Sequence, residues 1–172
     1  MSKKTTELAD ELVGGMLSAG PDRLTAAGRA GVPQVVSVGA TDMVNFHARE
    51  TVPERFADRK FYQHNPSVTL MRTTPAENRR IGEDIGRKLA AATSPVAIYF
   101  PLNGVSAIDR AGAPFDDPAA RAELLAGIRA TRGTVELVEL PQHINDPQFA
   151  QAAAEKLIGM LAPSATRKSS TN

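Results

Sequence analysis

Short runs of β-branched residues alternate along this chain with stretches in which apolar side chains recur every three or four positions. The first pattern reads as strand and the second as helix. Their alternation predicts βαβ units: a Rossmann-like α/β fold, with a mainly parallel sheet flanked by helices in a single three-layer domain. The strand candidates are residues 34–38 (QVVSV), 60–63 (KFYQ), 96–100 (VAIYF) and 135–140 (VELVEL). Two helices, near 6–16 and 21–30, precede the first strand.

The later helix starts are legible at single-residue level. Thr74-Pro75-Ala76-Glu77 has the form of a capping box, with the threonine hydroxyl accepting an orphan N–H and Glu77 reaching back. Ile81, Ile85 and Leu89 then mark a buried face, and Gly82 and Gly86 suit close packing on the sheet. Asp117-Pro118 and Asp146-Pro147 repeat the cap-then-proline device. Their helices bury Leu124, Leu125 and Ile128 in one case and Phe149, Ala153, Leu157 and Leu161 in the other. Gly31 and Gly133 fall where C-terminal caps belong.

Composition narrows the class. Twenty basic and nineteen acidic side chains are interspersed and leave a formal charge of +1. Binding to nucleic acid through a basic stripe is therefore not expected. Cysteine is absent, which removes disulfides, thiolate nucleophiles and cysteine-ligated zinc. No apolar run reaches the length of a membrane span, and the first residues carry no signal-peptide core. The expectation is a soluble cytoplasmic protein that makes no membrane contact. Residues 5–162 form its α/β domain, residues 1–4 an added or disordered start, and residues 163–172 a disordered tail.

In open parallel sheets, ligands meet the carboxyl ends of the strands. All four strand candidates run into polar corners there: Asp42 and Asn45, His64 and Asn65, Asn103 and Ser106, and His143, Asn145 and Asp146. Arg72, Thr73 and Thr74 stand at the mouth of the next helix. Free helix N–H groups, hydroxyls and a guanidinium suit phosphate or carboxylate, but each residue also has a plain structural role open to it. Thr74 caps, the corner histidines bond backbone, and Asp42 or Asn45 fixes a turn. No histidine–carboxylate pair has metal-site spacing, so no tightly bound metal is expected. Ser106 lacks the frame of a nucleophile elbow. Gly14-Gly15 follows a helix and has no lysine beside it, unlike a phosphate loop.

The stretches TTELADELVGGMLSAGPDRL, QVVSVGATDMVNF, VPERFADRKFYQHNPSVTLMRTTPAEN, PLNGVSAIDRAGAPFDDP and ELPQHINDPQFA occur in this order. From about Thr5 to Leu161 the chain resembles the second half of the tomato mosaic virus resistance protein-like ATP-binding family. The resemblance implies the second of two Rossmann-like subdomains packed face to face, with the first subdomain as partner and ATP, with or without Mg²⁺, as ligand. It also implies that Asp42, Asn45, His64, Asn65, Arg72, Thr73, Ser106, His143, Asn145 and Asp146 match the family's polar motifs. Asn103 departs from it by standing where a basic residue is common.

Three functions remain open at this stage. The chain is a nucleotide- or phosphometabolite-binding domain forming one wall of a shared cleft, an enzyme of unknown reaction using His64 or His143 as acid/base, or a protein-interaction module. A homo-oligomer is compatible with the last.

Overall fold

The computed structural model describes residues 5–162. The start and the tail expected over 1–4 and 163–172 lie outside the described residues. The helices are α1 (Thr6–Val13), α2 (Ala26–Arg29), α3 (Pro75–Ala90), α4 (Pro118–Thr131) and α5 (Pro147–Leu161). The strands are β1 (Gln34–Ser37), β2 (Met43–Phe46), β3 (Phe61–Asn65), β4 (Val68–Arg72), β5 (Val96–Pro101) and β6 (Glu136–Leu140).

The expected α/β architecture is present. β1, β5 and β6 form a parallel sheet in the order β1-β5-β6. On one face Val36, Ile98 and Phe100 pack against Ile81, Ile85 and Leu89 of α3 and Leu124 and Ile128 of α4. On the other, Val35, Ala97, Tyr99 and Val138 meet Phe149 and Ala153 of α5. Leu161, expected on the buried face of α5, is exposed at the end of that helix. Near-continuous apolar character is what a strand covered on both faces needs, and β5 is buried at all six positions.

Two larger expectations need correction. The 60–63 segment is not a strand of the parallel sheet. It begins β3, which pairs antiparallel with β4, and β4 pairs antiparallel with β2, giving a second sheet in the order β2-β4-β3. β2 and β4 lie outside the sequence-predicted strands, because MVNF and VTLMR mix polar with apolar residues and only their pairing with each other distinguishes such runs from loops. The connection over 65–68 is a hairpin turn in which Asn65 Oδ1 accepts from the Ser67 N–H at 2.9 Å.

The second correction concerns α3. Gly82 and Gly86 face α4, not the sheet. A β-carbon on Gly82 would lie 2.2 Å from the Leu124 carbonyl oxygen, and one on Gly127 of α4 would lie 2.3 Å from that of Arg79. These glycines let the two helix backbones touch. The capping box at Thr74 and Glu77 is complete, and Asp117 Oδ1 accepts the Ala120 N–H at 2.9 Å. Gly31 and Gly133 adopt the left-handed conformation their positions require.

Candidate functional site

The carboxyl ends of β1, β5 and β6 open into three loops that are bonded to one another. The Ala40 N–H donates to Val105 O at 2.8 Å, Asn103 N–H to Gln142 O at 3.1 Å, and Ile144 N–H to Gly104 O at 3.1 Å. Ala40 holds a left-handed φ of 58°, a conformation that costs a residue with a β-carbon about 1–2 kcal/mol. Gly104, at φ 129°, leaves no room for a side chain, because a β-carbon there would lie 1.8 Å from Asp109 O. The result is a rigid ledge made largely of backbone.

Beneath the ledge lies a buried polar cluster. Ser106 Oγ donates to Asp42 Oδ2 at 2.7 Å and accepts the Ile108 and Asp109 N–H groups at 3.2 Å. Asp109 Oδ2 accepts the Val105 N–H, while its Oδ1 receives Arg121 Nη1 at 2.8 Å and Arg72 Nη2 at 3.4 Å. Arg72 also donates through Nε to Phe115 O at 2.9 Å and through Nη1 to Asp42 O at 3.1 Å and Thr73 Oγ1 at 2.9 Å. Thr73 Oγ1 in turn donates to Thr41 O and accepts from Asn78 Nδ2.

Asp42 is fully buried, and its Oδ1 has no hydrogen-bond partner. Burial pushes its carboxyl up to about 6, with the Asp109 charge adding to the rise and the Ser106 hydroxyl and Arg72 opposing it. His143 is locked in one tautomer. Its Nδ1 accepts the Asn145 N–H at 3.2 Å, so Nε2 carries the hydrogen and donates to Ser106 O at 2.8 Å.

The structure therefore brings Asp42, Arg72, Thr73, Ser106 and His143 together, with exposed Asn103 and Asn145 on the ledge above. Asp146 stands at the N-cap of α5, but its side chain accepts the His143 N–H at 2.7 Å instead of capping the helix. The other expected members fall elsewhere. His64 and Asn65 sit exposed on the β3–β4 hairpin, because that strand belongs to the antiparallel sheet and not to the parallel edge. Asn45 lies inside β2, and both its N–H and its Nδ2 donate to the buried carboxylate of Asp10 in α1. Burial raises the Asp10 carboxyl, against the lowering effect of those Asn45 bonds. The anion seat expected at Arg72, Thr73 and Thr74 is filled by the protein's own groups. Thr74 and Glu77 cap each other, and the guanidinium turns inward to Asp109.

Sequence reasoning missed Asp10, Asp109 and Arg121. The signal for Asp10 was its i+4 spacing from Thr6, which puts the two polar side chains on one face of α1. For Asp109 it was the Ser106-to-Asp109 spacing of a polar turn. Among the described residues, no group of three or more His, Cys, Asp or Glu could hold a metal ion, and no helix is long and apolar enough to cross a membrane.

These features define an α/β domain whose parallel strands end in an interlocked loop ledge over a buried carboxylate cluster. The chain belongs to the family described as the C-terminal domain of the uncharacterised protein family UPF0261, which matches residues 3–161. A UPF0261 protein of Clostridium tetani is 51% identical over 159 residues, covering 91% of this chain and 39% of the relative. One from Rhizobium meliloti is 53% identical over 152 residues, covering 87% of this chain and 38% of the relative. The tomato ToMV resistance protein Tm-1(GCR237) is 41% identical over 157 residues, 90% of this chain and 21% of that protein. The chain thus spans less than two fifths of the length of these relatives.

Proposed function

We propose that this chain is a small-molecule binding domain, taking a nucleotide such as ATP or a phosphorylated metabolite on the ledge at the carboxyl ends of β1, β5 and β6, as one wall of a cleft shared with another part of the longer family proteins. The interlocking of the three loops carries this reading. Fixed backbone groups, a strained Ala40 and exposed Asn103 and Asn145 form a preorganised polar surface where open parallel sheets receive ligands. The buried cluster below supports the loops without offering its charges to solvent. Arg72 is a positioning residue in this reading, since it touches Asp42, Asp109 and Phe115 and not the ledge surface.

A reading as an enzyme is favoured by one observation, the near-neutral affinity of buried Asp42 for its proton, beside the Ser106 hydroxyl. In that case Asp42, and not His64 or His143, is the acid/base group.

The test is a calorimetric titration of Mg-ATP, AMP and inorganic phosphate into this chain and into the full-length Clostridium tetani relative, with amide exchange followed at Ala40, Gly104 and Asn145. Binding that protects those amides, and that weakens at least tenfold in Asn103→Ala/Asn145→Ala, supports the reading. Binding that leaves them unprotected, or none with either protein, removes it.

A further inference from the structure

The three loops of the ledge, residues 39–42, 102–106 and 141–146, contain no lysine or arginine, and their carboxylates are Asp42 and Asp146. The two guanidinium groups beneath them are spent inside the protein. Arg72 bonds Asp109 and the carbonyls of Phe115 and Asp42, and Arg121 bonds Asp109 and Asp116. Asp42 and Asp109 match these two cations, so the buried cluster lends the ledge no net positive charge.

The helix starts offer an anion no better seat. Glu77 closes the start of α3, Asp117 caps α4, and Asp146 stands at the N-cap of α5. A carboxylate of the chain therefore already meets the positive end of each of these helix dipoles, and a phosphate there would face a like charge.

What the loops do present is hydrogen-bond acceptors beside apolar surface. Asn103 Nδ2 donates to Pro141 O at 2.9 Å, which turns Asn103 Oδ1 away from that carbonyl and leaves a second Nδ2 hydrogen outside the bond. Two further acceptors of the same loops, Gln142 Oε1 and the fully buried Asp42 Oδ1, have no hydrogen-bond partner. Leu102, whose N–H is fixed to Leu140 O at 2.9 Å, is 40% exposed where the β5 and β6 loops join. Apolar surface with a few fixed polar groups is the lining that small organic ligands take. A carboxamide that shows an acceptor and a donor side by side matches the amino group and neighbouring ring nitrogen of adenine, and carbonyl acceptors suit ribose hydroxyls.

We infer that the ledge of this chain takes the uncharged base-and-ribose end of a nucleotide, with Asn103 as the residue that selects it and the phosphates turned away from the three loops. The inference rests on the binding reading above and narrows it. Contacts to phosphate then belong to the other wall of the cleft.

The experiment is an amide NMR titration of this chain with adenosine, AMP, Mg-ATP and inorganic phosphate, repeated at raised salt. Adenosine, AMP and Mg-ATP should shift the Ala40, Gly104 and Asn145 amides with affinities within about threefold of one another, since a charge-assisted bond to phosphate would separate them by about tenfold or more. Inorganic phosphate should shift none of the three. Added salt should change the adenosine affinity by less than about twofold, because no ion pair is there to be screened. Asn103→Leu, at an exposed position, should weaken adenosine by about fivefold or more while the Ile98 amide stays in place. An affinity that climbs about tenfold from adenosine to AMP overturns the inference but leaves a ligand on the ledge, and its loss in Arg110→Ala would name the exposed cation responsible. Adenosine binding unchanged in Asn103→Leu overturns the inference as well. No shift with any of the four probes removes it together with the binding reading on which it rests.

Discussion

Arg72, the last residue of β4, lies 3.4 Å from Asp109 of the β5–α4 loop, Nη2 to Oδ1, with both side chains buried. This pair joins the antiparallel hairpin to the parallel sheet. Tyr62 of the hairpin also meets Phe115 edge-on, with ring centroids 6.3 Å apart, and the Phe115 carbonyl accepts Arg72 Nε. Arg72→Ala would leave Asp109 with Arg121 and the Val105 N–H and leave four carbonyl and hydroxyl acceptors short of a donor. The expected loss is about 3–5 kcal/mol in urea unfolding, the range for breaking a buried pair from one side. Arg129→Ala removes a far more exposed pair with Glu139 and should change stability by less than about 1 kcal/mol. Similar losses in the two variants would show that the Arg72 pair is not a joint.

Asp42 makes stability depend on pH in a defined direction. Its folded carboxyl sits at about 6 against an ordinary value of 3.8, so the folded state holds the proton more tightly. The stability it contributes is present below pH 4 and is lost as pH rises through 6, by roughly 3 kcal/mol. Asp42→Asn cannot titrate. The difference in unfolding free energy, variant minus natural protein, should therefore rise between pH 4 and pH 7, with parallel profiles as the contrary result.

Two glycines test the helix contact. Gly82→Ala gains about 1 kcal/mol of helix propensity but drives a β-carbon into the Leu124 carbonyl 2.2 Å away, so a net loss of about 1–3 kcal/mol is expected. Gly159→Ala in α5 meets open space and should stabilise by about 0.5–1 kcal/mol. Thermal melts of the two variants moving in the same direction would contradict the close α3–α4 contact.

Thr74→Ala opens the capping box and should cost about 1 kcal/mol, while Thr74→Ser keeps the acceptor and should stay near the natural protein. Chemical denaturation separates the two. An alanine variant as stable as the serine one would mean that Glu77, held also by Arg59 at 2.6 Å, closes the helix end without Thr74.

Features made by neighbours along the chain are legible in the amino-acid sequence itself. The Thr74–Glu77 cap and Asp117 ahead of Pro118 depend on contacts within a few residues, and the apolar spacing of α3, α4 and β5 marks which of their faces must be covered. The same pattern places Asp42, Ser106 and His143 at one sheet edge, because parallel strands must end together. It misplaces His64 and Asn65, since KFYQ looks the same whether its partner runs parallel or antiparallel. Only pairing with β4 distinguishes the two, and that pairing is a contact between strands that neither segment shows by itself. The roles of Arg72, Asp10 and Asp109 were likewise decided by tertiary structure. Whether a charged side chain binds a ligand or its own protein depends on which backbone and side-chain groups, 30 to 40 residues away, fold against it.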